Sequence, residues 1–430
     1  MSSTPTDTVS HSDVPDDGIV RAADGTPLKQ RLAKALRREK LRSFLLIAPL
    51  LFFILLTFIA PIADMLFRSV ENNIVQDTIP LTVDALKDWD ATSGQLPDEP
   101  VFKALHDDLE IAVKERIHTR LGSRLNYEKS GMSGLFRKTG REVRRMDEVD
   151  YKAQFIDADD DWGDVETWRV IKRFSPPFTA GYFLNAVDAK QTSEGIELKP
   201  ANERIYLLLF NRTLVMSLAI TLSCLLLGYP IAYLLAHLPT RTSNLLMILV
   251  LLPFWTSLLV RTSAWKVLLQ QEGVINDFLV WIGLIDDANR LVMINNQTGT
   301  IIAMTHILLP FMILPLYSVM QSISPSYVRA AKSLGANDWT AFWRVYFPQS
   351  IPGIGAGAIL VFILAIGYYI TPELVGGTSG IFISNRIAYH ISSSLNWGLA
   401  AALGAILLAL VMLLFYVYDK IVGIDNVKLG

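Results

Sequence analysis

The chain has 430 residues, of which 51% are hydrophobic, and a formal net charge of −2. So large an apolar share, gathered into long runs, is typical of a membrane protein and excludes an ordinary soluble domain. The near-neutral charge gives no indication of a nucleic-acid partner. Cys224 is the only cysteine, so the chain cannot form an internal disulfide.

Residues 1–42 are predicted to form a flexible, basic tail on the cytoplasmic side. Residues 1–28 carry few large apolar side chains and cannot bury enough surface to order themselves. The first apolar run starts near Ser43 and is too long for the core of a signal peptide, so we predict no secretory signal. Basic residues before a first span hold it on the cytoplasmic side, and seven precede this one: Lys29, Arg31, Lys34, Arg37, Arg38, Lys40 and Arg42.

Six apolar segments are long enough to cross a bilayer as helices, which takes about 20 residues. If the first starts inside, six crossings return the C-terminus to the cytoplasm. The two short loops that this places inside are basic, in agreement with the charge rule: they carry Arg241 in one and Arg329, Lys332 and Arg344 in the other. The segments are 43–67, 207–237, 243–264, 298–321, 350–371 and 397–418.

Proline recurs within these predicted spans, where each ring removes a backbone donor and bends the helix. The bends are either static packing features or places where the bundle reshapes. The prolines are Pro49, Pro61, Pro230, Pro253, Pro310 and Pro315.

The segment 68–203 is charged, mixed in sign and long enough to fold alone, and the topology places it in the periplasm as a domain. Long domains escape the charge rule, so its own charges do not decide its side. An apolar stripe on a helix recurs every fourth residue, and it packs either on the domain's own core or against a partner. Its members are Val101, Leu105, Leu109, Val113, Ile117 and Leu121.

The polar loop 322–350 interrupts the apolar segments and has the pattern of a short amphipathic helix lying on the cytoplasmic face. Small side chains at Ala330 and Ala331 allow close contact with a partner, and Gly335 predicts a sharp turn after the helix. Asn337 and Asp338 are suited to cap the next helix. Pro348 is predicted to start the following span, where a missing N–H costs little.

This loop resembles the signature loop of ABC-importer permeases, which contact a separate ATPase. The pattern is Glu-Ala-Ala, three residues, Gly, nine residues, an apolar residue, any residue, Leu and Pro. Arg329 stands where the family usually has Glu, and Phe347 where it usually has Leu. Either the ATPase surface compensates for the inverted charge, or the other permease carries the Glu. The loop's site residues are Arg329, Ala330, Ala331, Leu334, Gly335 and Pro348.

From about Asn211 to the C-terminus the chain resembles the permease subunit of a polyamine-type (spermidine/putrescine) type I ABC importer. The resemblance covers just over half of the chain and leaves the large segment 68–203 unexplained. It is carried by these motifs: 211–214, 228–233, 252–257, 260–265, 273–276 and 371–377.

The resemblance implies a complex of two permeases, an ABC ATPase dimer and a periplasmic substrate-binding protein, with alternating access driven by ATP. We expect the second permease to be a different chain. No Gly-x-x-x-x-Gly-Lys-Ser/Thr stretch occurs here, so ATP-Mg is expected on the partner subunits. We assign no cofactor, metal site or catalytic residue to this chain.

Four residues are candidates for the substrate pathway: Tyr229, Thr256, His306 and Glu373. Ionisable groups inside a span are costly and often functional, although a neutral His306 bonded to a carbonyl is the alternative. Glu373 either attracts a cationic substrate or is a solvated loop carboxylate. Arg261 with Trp265 either anchors the membrane interface or contacts the binding protein.

We therefore predict an all-α integral membrane protein with six transmembrane helices of the type I ABC importer permease fold. The first helix, 43–67, is followed by the large periplasmic insertion 68–203 and by a five-helix core, 204–430. The predicted function is that of an inner-membrane permease for a polyamine-like or related small cationic or zwitterionic solute, with both termini cytoplasmic. The alternatives are an ion- or proton-coupled secondary transporter, which needs charges in the spans, and a membrane-anchored sensor that uses 68–203.

Overall fold

The computed structural model of the protein describes residues 28–192 and 195–422. Most of the predicted tail 1–42 therefore lies outside the described residues. The chain divides into two units, Met1–Met65 and Leu66–Gly430, each of which is described by itself.

The segment Leu36–Arg68 is one continuous helical run that is long and apolar enough to span a membrane. Its exposed apolar side chains suit a lipid environment. A π-turn ends at Ile59, two residues before Pro61, and the wider turn accommodates a residue that has no N–H to donate. The run consists of α1 (Leu28–Ile54), the π-turn Leu55–Ile59 and α2 (Ala60–Arg68).

The insertion that follows consists of short helices and one small antiparallel hairpin, whose strands are the only ones among the described residues. The helices are α3 (Asn73–Thr78), α4 (Pro80–Ala85), α5 (Glu99–Lys114), α6 (His118–Leu125), α7 (Met132–Glu142), α8 (Tyr151–Ala158), α9 (Val165–Arg173) and α10 (Gly181–Ala186). Strand β1 (Ala189–Gln191) pairs with β2 (Ile196–Leu198) in the register Ala189↔Leu198.

Large aromatic side chains fill the centre of the insertion. Trp162 and Trp168 are fully buried, with ring centroids 5.3 Å apart, and Phe102, Phe136 and Phe155 surround them. The Trp162 indole donates to Thr139 Oγ1 at 2.8 Å, so its polar atom is satisfied inside the core. The insertion therefore has its own hydrophobic core.

The predicted apolar stripe 101–121 lies on two helices rather than on one. Helix α5 ends at Lys114, and Arg116 has a φ of 62°, a left-handed conformation that breaks the helix before α6. Val101, Leu105, Leu109 and Leu121 are nevertheless buried in the insertion's core. The structure thus favours core packing over a docking surface for this stripe.

Eleven helices follow the insertion among the described residues. They are α11 (Tyr206–His237), α12 (Thr240–Leu251), α13 (Leu258–Leu268), α14 (Val274–Trp281), α15 (Gln297–Ser322), α16 (Pro325–Ser333), α17 (Asp338–Ala341), α18 (Phe347–Gly367), α19 (Ile370–Val375), α20 (Ile383–Ser392) and α21 (Trp397–Val422).

Five described helices are long and apolar enough to span a membrane, or six if one bent pair counts as a span. The bent pair is the predicted third span, 243–264, which is not a single straight helix. A 3-10 turn at Leu252–Trp255, around Pro253, separates α12 from α13, and the two meet at 94°. Helices α11, α15 and α18 pack together as the centre of the permease core.

The predicted fifth span, 350–371, begins earlier than expected. Helix α17, the π-turn Phe342–Tyr346 and α18 are continuous, so the helix runs from Asp338 to Gly367. Pro348 is thus an internal residue that follows a π-turn, as Pro61 does, and not the start of the span. The second half of the polar loop therefore belongs to the same continuous helix as the span.

Residues at the end of the insertion pack on the permease core. Tyr182 of α10 lies with Leu209 of α11 and with Leu399 and Leu403 of α21 in one cluster of buried side chains. The Tyr182 ring is so close to Gly398 that a Cβ there would lie 2.4 Å from it. The insertion is therefore fixed against the ends of two predicted spans.

Candidate functional site

The loop between α15 and α18 is built by local capping interactions. Ser324 caps α16 by accepting the N–H of Ser326, and Pro325 occupies the first turn. Gly335 follows α16 with a φ of 91°, and its N–H donates to the Lys332 carbonyl at 2.9 Å. Asn337 then caps α17 by accepting the Thr340 N–H at 2.8 Å. Glycine suits this left-handed position, because a side chain would be strained there.

The outer side of the loop exposes large apolar residues. Leu334 is 89% and Trp339 71% exposed, and Trp343 and Tyr327 are also exposed. We call these four residues the coupling face, because the sequence analysis predicts that this loop contacts an ATPase. The rings of Trp339 and Trp343 lie 5.6 Å apart, and exposed apolar groups that lie together are typical of a surface for a partner.

The inner side of the loop is packed into the permease core. The Tyr229 hydroxyl lies 3.0 Å from Ser350 Oγ, and the Tyr229 ring meets Phe342 edge-on at 6.3 Å. Tyr233 packs edge-on against Tyr346 at 5.2 Å. A displacement of the loop would therefore act directly on α11 and α18.

Arg329 lines a cavity of about 600 Å³ between the loop and the ends of α11 and α15. Lys332, in the same cavity, forms an ion pair with Asp338. Among the described residues no carboxylate pairs with Arg329, which is exposed. The cavity thus presents one uncompensated guanidinium where the resembling pattern has a carboxylate.

The structure does not bring the four pathway candidates into one site. Tyr229 is in contact with the loop, as described above. Thr256 lies at the bend before α13, is exposed, and donates to the Pro253 carbonyl at 2.8 Å. His306 and Glu373 belong to α15 and α19, which both pack against α13.

His306 and Glu373 each form a hydrogen bond with a side chain of another helix. The Trp265 indole N–H donates to His306 Nδ1 at 3.0 Å, so the ring is bonded to an indole rather than to a carbonyl. Because Nδ1 accepts, the proton of the neutral ring lies on Nε2. Glu373 is exposed, and its Oε2 accepts from Asn385 Nδ2 at 2.6 Å.

Sequence reasoning missed three side chains beside these candidates. Thr262 and Thr371 are buried with their hydroxyls 3.1 Å apart, and they join α13 to α19. Both lie in motifs that carry the family resemblance, but the sequence does not show that they meet. Asn385 bonds both Glu373 and the Tyr369 carbonyl. Among the described residues, no group of three or more His, Cys, Asp or Glu could hold a metal ion.

Comparison with known proteins defines the class. The family model "Binding-protein-dependent transport system inner membrane component" matches residues 228–423. Together with relatives that are 36–38% identical and are covered over more than two thirds of their length, this match shows that the chain belongs to the family and is a multi-pass inner-membrane transport subunit rather than an enzyme. The predicted fold class and function, that of an ABC importer permease, are thereby confirmed.

The relatives include two named spermidine/putrescine transport system permease protein PotB. The Escherichia coli protein is 36% identical over 224 residues, which are 52% of this chain and 81% of that protein. The Haemophilus influenzae protein is 38% identical over 208 residues, 48% of this chain and 72% of that protein. A solved bacterial alginate ABC transporter aligns over 52% of this chain and 80% of its own with 19% identity and a TM-score of 0.42.

Proposed function

We propose that this permease carries a polyamine-like cation and takes its driving force from an ATPase bound at the coupling face. The observation that carries the proposal is the loop 327–348, which is exposed and apolar outside, tightly packed inside and continuous with a span. The partner ATPase dimer binds ATP-Mg, and the coupling residues are those around Ala330, Ala331 and Gly335. A second, different permease subunit completes the pathway.

The substrate class follows from the relatives. Permeases named for spermidine and putrescine match more than two thirds of their own length. Glu373, exposed near the outer end of α18, supplies a carboxylate suited to a cation. A periplasmic binding protein delivers the solute and sets most of its selectivity.

The proposed topology places both termini and the coupling face in the cytoplasm and the domain 68–203 in the periplasm. Cysteine labelling tests it, because Cys224 is buried. Asp98→Cys, at the exposed start of α5, should react with a membrane-impermeant thiol reagent added to spheroplasts. Ser333→Cys in the loop should react only after lysis. The reverse pattern would contradict the topology.

Coupling is tested by Gly335→Asp in cells that depend on this transporter for labelled spermidine uptake. A side chain meets no atom within 4 Å there but is strained at φ 91°, so the test must separate this backbone strain from an effect on the partner surface. We expect uptake to fall at least tenfold while the protein still inserts. Gly283→Asp is the matched control, with a φ of 74° and equal open space. Full uptake by the Gly335 variant would refute the coupling role of the loop. If the wild type took up no polyamine, the proposed substrate class would be refuted.

A further inference from the structure

A second polar cavity lies where the insertion meets the start of α21, and none of its lining residues belongs to the loop 322–350. Its volume is about 430 Å³. One wall is α6, with Arg120, Ser123 and Arg124, and the other is the turn between α20 and α21, with Ser394 and Asn396.

The lining of this cavity favours an anion. Its polar side chains are two guanidinium groups, an amide and hydroxyls, and no carboxylate lines it among the described residues. The neighbouring cavity, of about 290 Å³, shares Arg120 and Asn396, and its lining also contains Arg68, Glu71 and Asp77. The first cavity therefore differs from its neighbour in having no carboxylate in its lining among the described residues.

Two of its donors have no hydrogen-bond partner among the described residues. They are Nη2 of Arg124 and Nδ2 of Asn396, both buried. A buried donor without an acceptor is costly, so such groups indicate a missing ligand or water. The charge of Arg124 is balanced by Glu128, whose Oε1 lies 2.7 Å from Nη1. Arg120 is exposed, and no carboxylate in the described part of the chain forms an ion pair with it.

The position of the cavity indicates the source of the anion. Trp397 begins α21, a helix apolar enough to span a membrane, and is 42% exposed. Tryptophan at the end of a span lies at the level of lipid headgroups. Leu395, also in the lining, is 61% exposed. The cavity is thus polar within and apolar at one edge.

We propose that this cavity binds a phosphate group, and that its source is the headgroup of an anionic phospholipid. The phosphate oxygens accept from Arg120, from Nη2 of Arg124 and from Nδ2 of Asn396. Because these residues belong to the insertion and to the turn before α21, the lipid fastens the insertion to that span.

The test titrates the full-length protein in a neutral detergent with dioctanoyl phosphatidylglycerol, with bound lipid counted by native mass spectrometry. Arg120→Gln removes an exposed charge without disturbing the fold, and Asn396→Asp replaces a donor by a carboxylate of equal size. Each variant should bind about tenfold more weakly, since a charge-assisted hydrogen bond contributes about a factor of ten or more. Arg141→Gln, the same change at an exposed residue of α7, is the control and should bind like the wild type.

Inorganic phosphate, tested by its effect on thermal unfolding, separates the two sources. Lipid binding at concentrations where inorganic phosphate has no effect supports the headgroup. Equal affinities for both would overturn the lipid source. Wild-type affinity of both variants for both probes would overturn the site itself.

Discussion

The insertion and the permease core are packed with side chains of different sizes. The insertion buries large aromatic rings, as the Trp162–Trp168 pair shows. In the core, small residues bring the helices together: a Cβ on Gly357 would lie 2.7 Å from Met312 Sδ, and one on Gly353 3.0 Å from Val319 Cβ. Water drives large apolar groups inside, whereas in lipid the helices gain most from close backbone contact.

The difference predicts that truncation damages the insertion most. Trp162→Ala removes a fully buried ring and leaves the Thr139 hydroxyl without its donor. We expect the free energy of unfolding of the insertion to fall by about 3–5 kcal/mol. The measurement is the loss of folded insertion in a protein whose spans still enter the membrane. Val149→Ala, at a residue 74% exposed, is the control. A loss below about 1 kcal/mol would mean that the insertion does not depend on its aromatic core.

His390 lies where the two regions meet, and we expect it to make their contact sensitive to pH. Its ring is held between the Tyr206 hydroxyl, 3.0 Å from Nε2, and Ser394 Oγ, 2.7 Å from Nδ1. Burial, assisted by the charge of Arg386, lowers the pKa of His390 to about 4. Arg386 is the charged group that faces it, and the ring of Tyr127 packs on it edge-on.

The sign of the effect follows from proton binding. Between pH 6.5, the ordinary histidine value, and about 4, the unfolded chain binds a proton that the folded chain does not. Stability therefore falls as pH falls through this window, by up to about 1.4 kcal/mol per pH unit. Thermal unfolding from pH 7 to pH 4 should show a steeper decline for the wild type than for His390→Gln. Parallel curves would show that His390 is not the group responsible.

Enlarging a small residue should damage the permease core. Gly357→Leu forces a side chain against Met312 and should cost about 1–3 kcal/mol by overpacking. Gly404→Leu, on α21 with no atom within 4 Å of its Cβ position, is the control. Met312→Ala in the same chain should recover part of the loss. Equal losses for the two glycine variants, measured by thermal unfolding, would contradict tight packing at Gly357.

The sequence predicted the two regions unequally. The apolar runs located the helices that are long enough to span a membrane, and the spacing of 327–348 located a polar loop with a short helix, because both depend on local composition. The sequence could not predict the 94° angle of the bend at Pro253. A proline indicates that a helix bends, but the surrounding residues determine by how much. The Trp265–His306 and Thr262–Thr371 contacts join residues 41 and 109 positions apart. Nothing local in the sequence pairs them.

The smallest expected effect concerns Glu373, whose exposed side chain belongs neither to an aromatic core nor to a close helix contact. Glu373→Gln keeps an oxygen that can accept from Asn385 and removes only the charge. Uptake of a cationic polyamine should fall modestly, about two- to threefold, and the deficit should narrow in high salt, because the attraction is screened over roughly 8 Å at physiological salt. Glu272→Gln is the control, since Glu272 is exposed in the loop after α13. A deficit that salt does not change would assign Glu373 to packing through Asn385. Equal deficits for both variants would show that the attraction belongs to the whole outer surface rather than to this carboxylate.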